Sequence, residues 1–129
     1  MTDKDIEKEI QAKGKTAARI TPDHIEGIIA SEHYFTAGDG FAGALSASDE
    51  FNKLSESERV INPPSQLDIL TFCVLVLKNG FTVTGESACA SPENFDAEIG
   101  RKIARQNAVN KIWALEGYLL KQKIHDTEK

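Results

Sequence analysis

The sequence predicts an α+β fold: a short N-terminal helix, an antiparallel β-hairpin or small sheet, and a long C-terminal helix, set in an oligomeric assembly. Three observations predict it. Asn79-Gly80 stands between two runs rich in β-branched and aromatic residues, a strong hairpin signal because both residues tolerate positive φ. No proline interrupts residues 93–124, and apolar side chains recur there at helical spacing. The first strand of the hairpin, with Phe72, Val74 and Val76 on one side and Cys73, Leu75 and Leu77 on the other, is apolar on both faces. A lone hairpin cannot bury two faces, so helices must sandwich it or a second subunit must complete the layer.

Taken in order, residues 1–14 are almost all charged or polar, with Ile6 and Ile10 at helical spacing. The stretch 1–18 reads as a solvated tail or a frayed helix, ahead of a single ligand-binding domain over 19–125. Residues 20–33, ITPDHIEGIIASEH, predict a helix ending near His33. Thr21 can cap it, Pro22 suits its first position, and Ile25, Ile28 and Ile29 form its buried stripe. Residues 34–48 place Gly38, Gly40 and Gly43 among Tyr34, Phe35 and Phe41, which predicts a flexible loop with aromatic anchors. Its GDG is not a phosphate loop, because no GKS or GKT follows and no strand precedes. A short acidic helix over 48–58 and an extended linker from Ser57 to Ser65, with Pro63-Pro64, complete a Gly-rich and acidic insertion spanning 36–66.

In the hairpin, a two-residue turn opposes Lys78 to Phe81, Val76 to Val83, Val74 to Gly85 and Phe72 to Ser87. Phe72, Val74, Val76, Phe81 and Val83 then share a face; Cys73, Leu75 and Leu77 share the other with Thr82, Thr84 and Glu86. SPEN follows, where Ser91 or Asn94 caps the long helix. That helix carries two apolar stripes, one through Phe95, Ile99, Ile103, Val109 and Trp113, the other through Ala104, Ala108, Ile112, Leu115 and Leu119. Two stripes call for two packing partners.

The 129 residues carry a net charge of −5, so no global positive field attracts a nucleic-acid polymer or a membrane surface. Residues 95–123 run against that trend, with six Lys/Arg against three acids. No apolar run is long enough to span a bilayer. The opening MTDKDIEKEI is acidic and polar, unlike a signal peptide, and only Cys73 and Cys89 are present. These features place the protein in a reducing cytoplasm with both thiols free.

The candidate chemistry is anion binding. Arg101 and Arg105 share a helix face, with Lys102 beside them, and guanidinium groups offer phosphate two parallel donors. Asn94 and the free backbone N–H groups at the helix start form a second anion site. Phe81, beside the turn, is placed to stack on a base. The plainer alternative is a solvated face on which Glu98 pairs with Arg101 and Lys102. His24, His33 and His125 form no ligand pair, and there is no HExxH or CxxC, so no metal or other cofactor is expected. Asp39 could act as a base but has no nucleophile or second carboxylate beside it, so the chain does not read as an enzyme. Trp113 reads as core.

The stretches SEHYFTAGDG, LTFCVLVLKNGFTVTGESACASPENFDAEIGRKIARQNA and KIWALEGYLL resemble a widespread family of small tailed-phage proteins. That family is similar to the anti-Thoeris sponges, with which phages sequester the cyclic ADP-ribose signal of bacterial Thoeris defence. The C-terminal helix resembles the helical hairpin of the anti-CBASS cyclic-nucleotide sponges. The resemblance implies binding of the signal intact, by dimers that assemble into hexamers in the host bacterial cytoplasm. It implies ligand contacts from Phe81, Asn94 and Arg105, with Arg19 as the N-terminal arginine. It also brings in cyclic di- or trinucleotides as a second ligand class. An alternative is a phage inhibitor that binds a host enzyme directly through the hairpin and the acidic insertion.

Overall fold

The computed structural model describes residues 2–128. Helix α1 (Asp3–Ala12) opens the chain, held by a reciprocal cap in which Thr2 and Asp5 bond each other's backbone N–H groups. Residues 3–12 are therefore a helix rather than a solvated tail. Helix α2 (Pro22–Gly27) starts as the sequence indicates, with Thr21 accepting from the His24 N–H at 3.1 Å. It stops at Gly27, well short of His33. Strand β1 (Ile29–Thr36) follows and pairs antiparallel with β2 (Leu70–Leu77), Tyr34 opposite Cys73 and Phe35 opposite Phe72. The Ile25, Ile28, Ile29 spacing is helical locally, but β2 offers a full edge, and pairing along it outweighs one more helical turn. A register shift between Ile29 and Ser31 absorbs the change of period.

Residues expected to form a glycine loop form helix α3 (Ala37–Ser46), started by a cap in which Thr36 and Asp39 bond each other's backbone N–H groups. A Cβ at Gly38 would meet the Asp68 carboxylate, which would have to turn aside. The acidic helix shortens to α4 (Asp49–Asn52), and a 3₁₀ turn over Ser65–Ile69 leads into β2.

Strand β3 (Thr82–Ala88) completes a three-stranded antiparallel sheet in the order β1-β2-β3. Its register is one residue from the expected one: Leu75, not Val76, opposes Val83. The turn explains the slip. Asn79 does not have positive φ and so does not serve a two-residue type I′ turn; Gly80 alone of the pair turns left-handed, at φ 89°. The loop is therefore three residues, Lys78-Asn79-Gly80, closed by Gly80 N–H to Leu77 O and Leu77 N–H to Phe81 O, both 2.8 Å. One residue of slip moves Val83 to the side of Cys73, Leu75 and Leu77.

Helix α5 (Ala97–Thr127) lies across that side. The core is Cys73, Leu75, Leu77 and Val83 against Ala104, Ala108, Val109 and Ile112, with Ile25 closing one end. Gly85 makes this contact possible, since a Cβ there would collide with the Ala104 carbonyl and the Ala108 amide. On the opposite face, Phe72, Val74 and Val76 are only half-buried, so β2 is not sandwiched as its composition suggests. Phe35 lies against Phe72 there, ring centroids 5.7 Å apart. Both cysteines are free thiols; Cys73 is buried, which pushes its thiol pKa up.

Candidate functional site

The basic residues of α5 do not behave alike. Arg105 sits at the edge of the helix facing α2 and β1. Its two terminal nitrogens donate to the Glu26 carboxylate at 3.1 and 2.7 Å, and its Nε donates to Glu32 at 3.1 Å. This fork ties three elements together. It holds the Glu26 carboxyl below its ordinary range and raises the guanidinium of Arg105. Tyr34 donates its hydroxyl to the same Glu32 at 3.0 Å; burial first, then that contact, pushes the phenol up. Three of the five N–H donors of Arg105 are therefore taken by carboxylates, and an arriving anion meets the negative charge of Glu26 and Glu32 beside it.

Arg101, one turn earlier, makes no hydrogen bond or ion pair among the described residues. It borders a cleft of about 140 Å³ with Tyr34, Phe35, Thr71 and Phe95. The expected Glu98 pairing goes to Lys102 alone, at 3.2 Å.

The start of α5 differs from expectation. Neither Ser91 nor Asn94 caps it: Pro92–Asn94 form a 3₁₀ turn, Phe95 is extended, and Asp96 accepts from the Ile99 N–H at 3.0 Å. A carboxylate thus occupies the position where the free N–H groups would have met an anion. Asn94 remains exposed at the rim of a second cleft, of about 130 Å³, with Ile69, Cys89 and Phe95.

Phe81 is 55% exposed just past the hairpin turn. Asn94 lies at the other end of the sheet, about 20 Å away along β3 at the usual strand rise. Arg19 is elsewhere again, bound by two hydrogen bonds to Glu7 of α1, one of them 2.6 Å, which draws the Glu7 carboxyl down to about 2. A single chain therefore gathers Arg101 and Arg105 on one helix edge, and Asn94 borders a cleft that shares Phe95 with the cleft of Arg101, whereas Phe81 stands at the hairpin tip and Arg19 is held on α1.

Glu26, Glu32 and Glu7 escaped the sequence reading. For Glu26 and Glu32 a pairing across more than seventy residues leaves no local signal. Trp113, read as core, packs half-buried against the core cluster and donates its indole N–H to Asp3 at 3.2 Å. Among the described residues no cluster of three His, Cys, Asp or Glu is placed to hold a metal, and no helix is long and apolar enough to cross a membrane.

A family model described as phage protein (N4 Gp49/phage Sf6 gene 66) matches residues 20–124, and the chain belongs to that family. No curated protein and no solved structure matches it.

Proposed function

We propose that this member of a phage protein family is a sponge: it binds a cyclic ADP-ribose-type signalling nucleotide, the Thoeris signal, and withholds it without cleaving it. The observation that carries this reading is the placement of its anion- and base-binding groups on surfaces the single chain leaves open. Arg101 faces solvent over an aromatic cleft, and Phe81 projects from the hairpin tip with more than half its surface free. Separation of Phe81 and Asn94 along β3 argues for a site shared between copies, with the hairpin tip of one reaching the α5 start of another. Homo-oligomers, dimers assembling into a hexamer, supply that arrangement. Arg105 takes part by exchanging Glu26 and Glu32 for phosphate, a trade between two charge-assisted partners that costs little when the phosphate is bidentate. Cyclic di- and trinucleotides are the second ligand class of this reading, and the host bacterial cytoplasm is its compartment. Nanomolar retention corresponds to about 12 kcal/mol, within reach of several charge-assisted bonds plus one buried purine.

The test is calorimetry of the purified protein against cyclic ADP-ribose isomers, followed by heat denaturation and recovery of the ligand. Tight binding with intact ligand released supports the sponge. New products would make the protein an enzyme. Absence of heat with every isomer, and then with cyclic di- and trinucleotides, would end the nucleotide reading. Arg105→Ala is expected to abolish binding while the fold persists.

A second reading has its own observation. In the insertion, Val60 is 66% exposed and Ile61 lies beside it in irregular backbone between Arg59 and Asn62. An apolar pair presented this way suits direct docking on a host enzyme. A stable host complex in pull-down, with no nucleotide affinity, would favour it.

A further inference from the structure

Helix α1 has 10 residues, and none of them is buried. A helix that short is marginal by itself in water and ordinarily depends on an apolar face pressed into a core. The apolar residues of α1 are not packed in that way. Ile6 is 44% exposed, and with Ile10 it borders an open cleft of about 250 Å³ whose far side is Ile20 and Trp113. A larger cleft, of about 500 Å³, runs between the start of α1 and Val109 of α5.

The contacts that hold α1 in place are polar. Glu7 takes both terminal nitrogens of Arg19. Asp3 accepts the Trp113 indole N–H at 3.2 Å. The charge of Lys4 adds, after Arg105, to the pull on the Glu26 carboxylate. Such contacts can be traded for water with little net loss, whereas buried apolar surface cannot. The segment 13–18 that leads from α1 to α2 is exposed and irregular, and Gly14 turns left-handed within it, at φ 68°. Few contacts therefore oppose a swing of α1 about this segment.

We propose that α1 is a latch: it leaves the body of the protein as one unit, with the sheet and α5 intact, and when closed it keeps Arg19 and the Trp113 indole occupied. In the open state Arg19 loses its carboxylate partner and offers its guanidinium donors to solvent. Arg19 belongs to the candidate ligand set, so the latch sets whether it can take part in binding. That consequence rests on the sponge reading; the latch itself does not, and its test uses no nucleotide.

Trp113 is the only tryptophan, so its indole N–H gives one unambiguous resonance in the ¹⁵N-labelled full chain. Solvent exchange of that proton is compared with exchange of the amides of Lys8 and Ile10 in α1 and of Ala108 and Val109 in α5. The α1 amides and the indole are expected to share one opening equilibrium, populated at least about 100-fold more than that of the α5 amides. Glu7→Gln should raise exchange of the α1 amides and the indole together by about ten-fold and leave the α5 amides unchanged. Glu9→Gln removes only the pair with Lys13 within α1, at 3.0 Å, and should change them by about two-fold at most. Protection of α1 equal to that of α5 would overturn the latch. So would indole exchange uncoupled from the α1 amides, which describes a helix fraying in place. Equal effects of Glu7→Gln and Glu9→Gln, or acceleration of all sites alike by Glu7→Gln, would overturn it as well.

Discussion

The two halves of α5 have similar residue types and opposite fates. Its first half, up to Ile112, carries all four buried residues of the helix: Ala104, Ala108, Val109 and Ile112. Beyond Ile112 no residue is fully buried; Leu115 and Leu119 are exposed, and Tyr118 is 75% exposed. The helix is about 46 Å long at 1.5 Å per residue, whereas the strands beneath it reach about 26 Å at the usual rise. Half the helix overruns its sheet. Helical periodicity alone therefore does not decide burial. It is decided by what stands opposite, and only the first half faces Gly85, Cys73 and Leu75. Leu115, Tyr118 and Leu119, at i, i+3 and i+4 spacing, form a stripe that the fold does not use.

The sharpest way to break the first half is Gly85→Val. A side chain there runs into the backbone of two helical turns, which cannot yield as a flexible side chain would. The loss should be about 4 kcal/mol or more, read as a collapse of the urea midpoint. A mild effect would mean that α5 does not sit this close to the sheet.

Ile112→Ala and Leu119→Ala test the two halves with like truncations. Ile112 is fully buried, so its truncation should cost about 3 kcal/mol from lost transfer energy and a residual cavity, at every protein concentration. Leu119→Ala should change the stability of an isolated chain by less than about 0.5 kcal/mol. If copies associate through this stripe, the Leu119 effect appears only in the concentration dependence, by ultracentrifugation. Equal losses at high dilution would erase the distinction between the halves.

Arg105 ranks next. Arg105→Gln removes the fork to Glu26 and Glu32, but these carboxylates are half in solvent, so screening limits the loss to about 1 kcal/mol. The pH dependence is more telling than the size. Glu26 is depressed in the folded chain, so its contribution is complete above the unfolded carboxyl value of about 4.3 and fades as pH falls through the lower folded value. The unaltered protein should lose more stability than Arg105→Gln on acidification from about pH 5 to about pH 3. Parallel acid profiles would show that the fork is not present in solution.

What the sequence made legible follows the range of the interactions involved. The α5 helix, the Thr21 cap and a turn at Asn79-Gly80 rest on local chemistry, and the structure contains them. The class of that turn was misread, because asparagine permits positive φ without requiring it; the error of one residue then reversed which side of β3 meets the helix. Strand β1 was hidden by three isoleucines at helical spacing, although Tyr34 and Phe35 already alternate between its faces. Helix α3 was masked by its glycines, while the T-x-x-D pattern of Thr36 and Asp39 marked its start. The Arg105 fork and the Trp113–Asp3 contact join segments far apart in sequence, and nothing local announces either. The same holds for the candidate ligand set: residue type and resemblance point to Phe81, Asn94, Arg101, Arg105 and Arg19, but no local pattern says which of them lie together.

The smallest expected effect tests the outer half of α5 most directly. Gly117 is a helix-interior glycine with nothing within 4 Å of where its Cβ would stand, unlike Gly100 in the inner half, where a Cβ would press on Thr71. Alanine at this position lowers the backbone entropy lost on folding, so Gly117→Ala should stabilise an isolated chain by about 0.5–1 kcal/mol. A helix presented only to solvent has no reason to keep a glycine there. A helix that a second copy approaches closely does, since a methyl group would hold the two backbones apart. Stabilisation at low concentration combined with weaker association at high concentration would mark Gly117 as the close-approach point of an assembly built on the outer half. Stabilisation with unchanged association would place any contact between copies elsewhere, on the half-buried face of Phe72, Val74 and Val76.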